Sequence, residues 1–252
     1  MKVAVITGGA GGLGQALSRK LLTRDFQVVL IDRDFGALTP SPHEEFIQCD
    51  LTNRDELHAA VEQILTRHPV LHLVIYNAGV TQIGAFQDQS EESHRKVFEI
   101  NYFAAVAMAK AFLPAIRAGK GVHLAISSVA GFAPLYLRTS YAASKHAMEG
   151  FFKSLRSEEK AYDVRVQIAA PSFVATNLGN AARQEDGIAR PGSATDGKDY
   201  MTPDAAADEI LKGLDRGSPM ILIGRVARLS WWINRLSPRL YQKLMEREIS
   251  GG

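Results

Sequence analysis

The sequence predicts an α/β protein built on a doubly wound parallel sheet of about seven strands with helices on both faces. Three observations predict it. Short apolar runs alternate with stretches of helical periodicity, the pattern of parallel strands joined by right-handed crossovers. The first run, 2–7, closes in a glycine-rich turn, Gly8-Gly9-Ala10-Gly11-Gly12-Leu13-Gly14, that opens a helix. A later run, 122–126, is followed by Ser128, a loop, and a helical stretch carrying Tyr141 and Lys145 at i,i+4.

Taken in order, residues 2–7 read as a buried strand, and 15–23 as a helix with Leu13, Leu17, Leu21 and Leu22 on one side. Glycine serves where φ is positive and where backbone must approach a diphosphate closely. The helix N-terminus behind it offers N–H groups and a positive dipole end to phosphate. Residues 27–31 form the second strand, followed by Asp32 at the distance where an acidic side chain binds the adenosine ribose hydroxyls. Arg33 beside it would instead suit a 2′-phosphate. NAD is therefore favoured, with NADP as the alternative.

The stretch 34–45 contains Gly36, Pro40 and Pro42 and is too short and broken for a crossover helix. Residues 46–49 form a third strand ending in Asp50-Leu51, and Thr52 or Asn53 caps a helix running to about Arg67. A fourth strand, 71–76, ends in Asn77-Ala78-Gly79. A long helical pattern, 91–117, includes Asn101, and Pro114 is expected to kink or shorten it. After the fifth strand, 122–126, the helix with Tyr141 and Lys145 places both side chains on one face. A phenol beside an ammonium is a proton-transfer device, because the cation favours the phenolate. Most Tyr-x-x-x-Lys helices hold only a half-buried tyrosine beside a solvated lysine. Ser128 at a strand end is what makes this one distinctive.

The sixth strand, 164–170, ends at Pro171. Residues 177–200, rich in Gly, Asn, Asp, Ala and Ser, lack periodicity and read as a functional lid. A helix with Asp204 near its start and Leu211 and Leu214 on its apolar side leads to a seventh strand, 220–223. Residues 1–223 thus make one domain, and 224–252 an amphipathic basic extension.

That extension carries Leu229, Trp232, Ile233 and Leu236 at i, i+3, i+4 and i+7. Pro238 interrupts the stripe, and Leu240, Tyr241, Leu244 and Met245 resume it. Six Lys/Arg against two Glu give the extension a formal charge of +4, against +2 for the whole chain of 252 residues. Such a stripe suits either packing on the pocket or on a second subunit, or peripheral contact with a membrane.

Composition excludes several classes. A net charge of +2 argues against a general nucleic-acid binder. One cysteine, Cys49, excludes an internal disulfide framework and fits a reducing compartment, so a cytoplasmic location is expected. The N-terminal apolar run is too short for a signal peptide. No stretch is expected to span a membrane. The seven His show no metal spacing: His68 and His72 straddle a proline and a strand start, so no metal site is expected. Gly-x-Ser-x-Gly is absent, which removes the usual hydrolase signature.

Jointly these residues resemble the short-chain dehydrogenase/reductase family in its standard single-domain, Rossmann-like form. The resemblance covers 2–223. Thr7-Gly8-x-x-x-Gly12-x-Gly14 is similar to the family's cofactor turn, and Asp50, Asn77-Ala78-Gly79, Asn101, Ser128, Tyr141 and Lys145 follow in the family's order. Ser128 precedes Tyr141 by 13 positions, as the family's catalytic serine does.

The resemblance implies catalytic roles for Asn101, Ser128, Tyr141 and Lys145. Tyr141 would exchange a proton with the substrate oxygen. Lys145 would bind the nicotinamide ribose and lower the Tyr141 pKa. Ser128 would polarise the substrate, and Asn101 would hold a relay water. It implies cofactor contacts from Gly8, Gly12, Leu13, Gly14, Asp32, Arg33, Asp50, Leu51, Asn77, Ala78, Gly79, Tyr141, Lys145, Pro171, Val174 and Thr176, with Asp50 on adenine and Thr176 on the carboxamide. Ser127 is read as structural.

Three departures stand out: Pro171-Ser172 replaces the family's Pro-Gly, the connection after Asp32 is short, and the tail is long. The implied function is an NAD(P)-dependent alcohol dehydrogenase or carbonyl reductase acting on a small molecule, an apolar one if the tail meets lipid. The alternatives are a non-catalytic dinucleotide-binding regulator, or an epimerase or dehydratase, which usually carries a larger C-terminal domain. The family also implies a homo-oligomer, dimer or tetramer, packed through the Asn101 and Tyr141 helices.

Overall fold

The structure, a computed structural model, describes residues 1–176, 186–189, 192 and 200–250. Its strands are β1 (Lys2–Thr7), β2 (Phe26–Asp32), β3 (Glu44–Gln48), β4 (Leu73–Tyr76), β5 (Thr81–Gln82), β6 (Val122–Ile126), β7 (Arg165–Pro171), β8 (Ile188–Ala189) and β9 (Met220–Ile223). Seven of them form one parallel sheet in the order β3-β2-β1-β4-β6-β7-β9. The chain winds outward from β1 to β3 and then restarts at β4 on the other side. The β1/β4 boundary is therefore the switch point, where a crevice opens at the carboxyl ends of the strands.

The helices are α1 (Gly12–Leu22), α2 (Arg54–Arg67), α3 (Glu91–Phe98), α4 (Ala104–Ala118), α5 (Thr139–Glu159), α6 (Pro203–Asp215), α7 (Arg225–Leu236) and α8 (Pro238–Ser250). Alternation along β1 divides the core. Val3 and Val5 face a layer containing Leu57 and Ile64 of α2, Met108 and Phe112 of α4, and Met148 and Phe152 of α5. Ala4 and Ile6 face Leu17 and Leu21 of α1 and Ile210 and Leu211 of α6. Strands buried on both faces are near-continuous apolar runs, which is why they stand out in the sequence.

Local chemistry places the helix starts. Asn53, not Thr52, caps α2, accepting from the N–H groups of Asp55 and Glu56. Thr202 caps α6 ahead of Pro203. The helical pattern at 91–117 holds but is interrupted. A π-helical turn at Glu99–Phe103 separates α3 from α4. Pro114 lies inside α4 and does not end it.

By length and mean hydropathy the span Glu91–Ala118 is long and apolar enough to cross a membrane, contrary to the expectation from sequence. Here its Val97, Met108, Phe112 and Ile116 are buried in the core beside the sheet. A core helix in an α/β fold meets the same criterion as a span because both bury apolar side chains.

β5 and β8 pair antiparallel, Thr81 opposite Ala189 and Gln82 opposite Ile188. Two-residue strands carry no readable period, and 188–189 fall inside the expected lid. Most of that lid lies outside the described residues. The tail stripe also divides. Ile233, Tyr241 and Met245 turn inward with Ala227 against Val129, Phe132 and Ala133, whereas Leu229, Trp232, Leu236, Leu240 and Leu244 are exposed.

Candidate active site

A cleft of about 710 Å³ opens over the carboxyl ends of the strands. Its floor is set by side chains that tie β1 to β4. The Thr7 hydroxyl accepts from the Asn77 and Ala78 N–H groups, both at 3.0 Å. The Asn77 amide in turn donates to the carbonyls of Thr7 (3.1 Å) and Gly8 (3.0 Å). Gly8 adopts φ +66°, which a side chain would strain. A Cβ on Gly14 would overlap the Gly8 carbonyl oxygen, so this glycine permits α1 to sit close on the turn. Gly14 does not line the cleft, unlike Gly8, Gly12 and Leu13.

α1 begins at Gly12 with no side-chain cap and no acidic residue in its first turn. Its first N–H groups lack intrahelical partners and its dipole is positive there. That end fits a diphosphate.

At one end of the cleft Asp32 is held in place. Its carboxylate accepts from Ala10 N–H (2.9 Å) and Arg33 N–H (2.8 Å). Asp50 faces its own turn, accepting from the Thr52 N–H (2.9 Å) and hydroxyl (2.7 Å). Burial works to raise the Asp50 pKa, but these bonds and Arg33 outweigh it and hold it below the ordinary value. Cys49 also lines this end. Burial foremost, then Glu56 and Asp50, push its thiol up to about 11, which makes it a poor nucleophile.

At the other end stand Ser128, Tyr141 and Lys145, all lining the cleft. Ser128 follows β6 and accepts from Ala130 N–H at 3.2 Å, which orients its hydroxyl over the loop. Tyr141 is buried, and burial raises its pKa; the Ser128 hydroxyl and the Arg138 charge work against that rise. Lys145 donates to the Ile126 carbonyl at 2.9 Å and lies 6.0 Å from the Tyr141 ring centre. Burial brings Lys145 down to about 8, against the opposing charge of Glu149. Arg138 is thus a cation that favours the phenolate, in addition to Lys145 beside the ring.

Asn101 sits apart from the cleft lining. Fully buried in the π-helical turn, it accepts from Val80 N–H (2.8 Å) and donates to the Val80 carbonyl and the Ser144 hydroxyl (both 2.9 Å). It clamps the loop after Gly79 to α5. The bonds are long-range, unlike a helix residue bonding locally.

Arg33, Asp50, Leu51, Asn77, Ala78, Gly79, Pro171, Val174 and Thr176 line the remainder of the cleft. The sequence reading missed Arg138, which is buried and donates to the Thr81 hydroxyl at 2.7 Å. An arginine before a helix carries no signal of burial; the β5 strand brings it in. Leu135, Phe173, Ile188 and Tyr200 add an apolar wall that was also missed. Among the described residues no group of three His, Cys, Asp or Glu gathers to hold a metal.

Comparison with known proteins identifies the family and the fold. The short chain dehydrogenase family profile matches residues 2–187. The chain is 32% identical over 259 residues to Dehydrogenase/reductase SDR family member 7B of Bos taurus, across 96% of this chain and 80% of that one. A short-chain dehydrogenase from Sphingobium yanoikuyae, solved in complex with NADPH, superposes with a TM-score of 0.77 at 26% identity, covering 98% of this chain and 96% of that one. A short chain dehydrogenase/reductase from Burkholderia phymatum, solved in complex with NAD, shares the fold at a TM-score of 0.80 and 23% identity, covering 95% and 94%.

Proposed function

The chain belongs to the short-chain dehydrogenase/reductase family, and from that premise we propose that it is an oxidoreductase moving a hydride between a nicotinamide dinucleotide and the carbon of an alcohol or carbonyl substrate. The observation that carries this reading is one shared cleft. The uncapped start of α1 lies at one part of it, and Ser128, Tyr141 and Lys145 lie at another.

When bound, the nicotinamide supplies the hydride donor or acceptor. The α1 N-terminus would hold the diphosphate, Asp32 the adenosine ribose, and Asn77, Gly79, Lys145 and Thr176 the nicotinamide half. The Ser128 hydroxyl would donate to the substrate oxygen. In reduction Tyr141 gives that oxygen its proton as the carbon gains hydride; in oxidation it takes the proton as hydride leaves. Arg138 favours the phenolate formed on that donation. Leu135, Phe173, Ile188 and Tyr200 exclude water and fit an apolar substrate.

Asp32 supports a preference for NAD. A carboxylate tied to Ala10 N–H does not readily swing away, so a 2′-phosphate would meet a fixed like charge. Half-exposed Phe103 beside Tyr102, in the π-helical turn just before α4, supports a homo-oligomer, dimer or tetramer, packed through α4 and α5. The buried, unreactive Cys49 is consistent with a cytoplasmic location.

The test is a panel of secondary alcohols, ketones and aldehydes, followed by nicotinamide absorbance. Turnover by the native chain and its loss in Tyr141→Phe are expected. Cofactor binding without turnover on any substrate would favour a non-catalytic dinucleotide-binding module.

A further inference from the structure

α7 and α8 carry apolar residues on two faces, and among the described residues only one of these faces has a protein partner. The inner face is anchored. Tyr241 is buried against Val129, Ala133 and Ala227. The Asn234 amide donates to the Phe132 carbonyl at 2.8 Å, and Trp231 meets the Phe132 ring edge-on at 4.9 Å. The outer face holds Leu229, Trp232, Leu236, Leu240 and Leu244, with Leu236 80% and Trp232 62% exposed. A single exposed apolar side chain needs no explanation, but four leucines and a tryptophan on adjoining helices form a patch that does.

Charge identifies the occupant. Arg225, Arg239, Lys243 and Arg247 are exposed on the same two helices, and α7 contains no acidic residue. From Gly224 on, six Lys/Arg face two Glu, while the entire chain carries only +2. The positive charge is thus concentrated on the element that presents the apolar patch. Leucine and tryptophan between arginines is the composition of a helix lying in a lipid interface, apolar side chains below the headgroups and cations on the phosphates. A second copy meeting this face with its own would set arginine against arginine.

We propose that the outer face of α7 and α8 docks peripherally on an anionic lipid surface. The inner face packs on the segment 129–136, between Ser128 and Tyr141, and Tyr136 N–H contacts the Met245 sulfur at 3.1 Å. Leu135, next to Tyr136, lines the cleft. Docking therefore brings the substrate end of the cleft toward the lipid and gives apolar substrates a short route in.

The test is flotation of the full chain with phosphatidylcholine vesicles, with and without phosphatidylglycerol, at low and high salt. Recovery with the anionic vesicles at low salt is expected, falling severalfold with neutral vesicles and at high salt, where screening shortens the reach of the arginines. Trp232→Ser/Leu236→Gln should abolish recovery. Both side chains are exposed, so the fold is retained, which far-UV circular dichroism checks. The chain has two tryptophans, and vesicles should blue-shift emission in the native chain but not in Trp232→Phe, where only Trp231 remains. Recovery in the unbound fraction under every condition overturns the proposal. So does a fall in solution mass of Trp232→Ser/Leu236→Gln without vesicle binding by the native chain, which would make the face a subunit interface. None of these readouts requires turnover, so this proposal and the assigned chemistry fail independently.

Discussion

Lys145 donates its side-chain amine to the carbonyl of Ile126 at 2.9 Å, tying α5 to the last residue of β6. Ser128 follows two residues later. The bond fixes the distance between the helix that carries Tyr141 and the strand end that carries Ser128, so the three groups move as one body. It also withdraws a buried cation from water, and that burial is why its pKa falls to about 8.

The pH dependence follows from this. Lys145 is protonated below about pH 8 and loses its charge above it. Activity that needs the ammonium declines through that region. For stability the sign is opposite. Between about 8 and the ordinary 10.5 the unfolded chain holds this proton and the folded chain does not, so the contribution of this group rises with pH there and is lost as pH falls through 8. Glu149 opposes the shift. In Glu149→Gln the falling limb of the kcat/KM profile should move to lower pH. A variant that loses activity with the limb unmoved would leave Glu149 only its bonds to Ser127 and Lys153.

Tyr141→Phe keeps the buried ring and removes the proton donor. Turnover should fall by about 10²–10⁴, the usual span for general acid–base catalysis. Cofactor affinity, read by NADH fluorescence, should change little. Near-native turnover would place the proton transfer on another group.

Asp32 is expected to set cofactor choice. A charge-assisted hydrogen bond to a ribose hydroxyl contributes about 1.5–3 kcal/mol, roughly a factor of 10 to 100 in binding. Titration of the native chain should show NADH binding more tightly than NADPH. Asp32→Ala should narrow or reverse the difference, because Arg33 remains. Tighter NADPH binding by the native chain would refute the preference.

Asn101→Ala strands the Val80 N–H and carbonyl and frees the Ser144 hydroxyl. Each buried group left unsatisfied costs about 1–3 kcal/mol, so the urea midpoint should drop clearly. If turnover falls far more than stability explains, Asn101 also serves the proton path.

Gly14→Ala forces a methyl group against the Gly8 carbonyl. Overpacking of this kind costs about 1–3 kcal/mol. The glycine turn should shift, and dinucleotide affinity should fall with stability. Unchanged affinity and melting temperature would mean that α1 can slide to absorb the methyl.

Some of this protein was legible from sequence alone. Strands buried on both faces are continuous apolar runs, so all seven sheet strands are readable to within two residues at either end, with β3 and β4 each displaced by two at the start. The glycine turn, Asp32, Asn77, Ser128, Tyr141 and Lys145 lie at strand ends or at fixed helical spacing, positions that the local pattern marks.

The remainder depended on residues distant in sequence. Arg138 enters the site because Thr81 receives it, 57 positions away. Asn101 turns from the cleft because Val80 takes all but one of its bonds. β5 and β8 are too short to carry a period and exist only through their pairing. The tail shows the same limit. Periodicity made one stripe of Leu229, Trp232, Ile233 and Leu236, because it records spacing and not which arc meets the body of the protein. Packing on 129–136 took Ile233 inward and left the other three outside. A sequence encodes the faces of each element; which face is covered is decided by where the other elements come to rest.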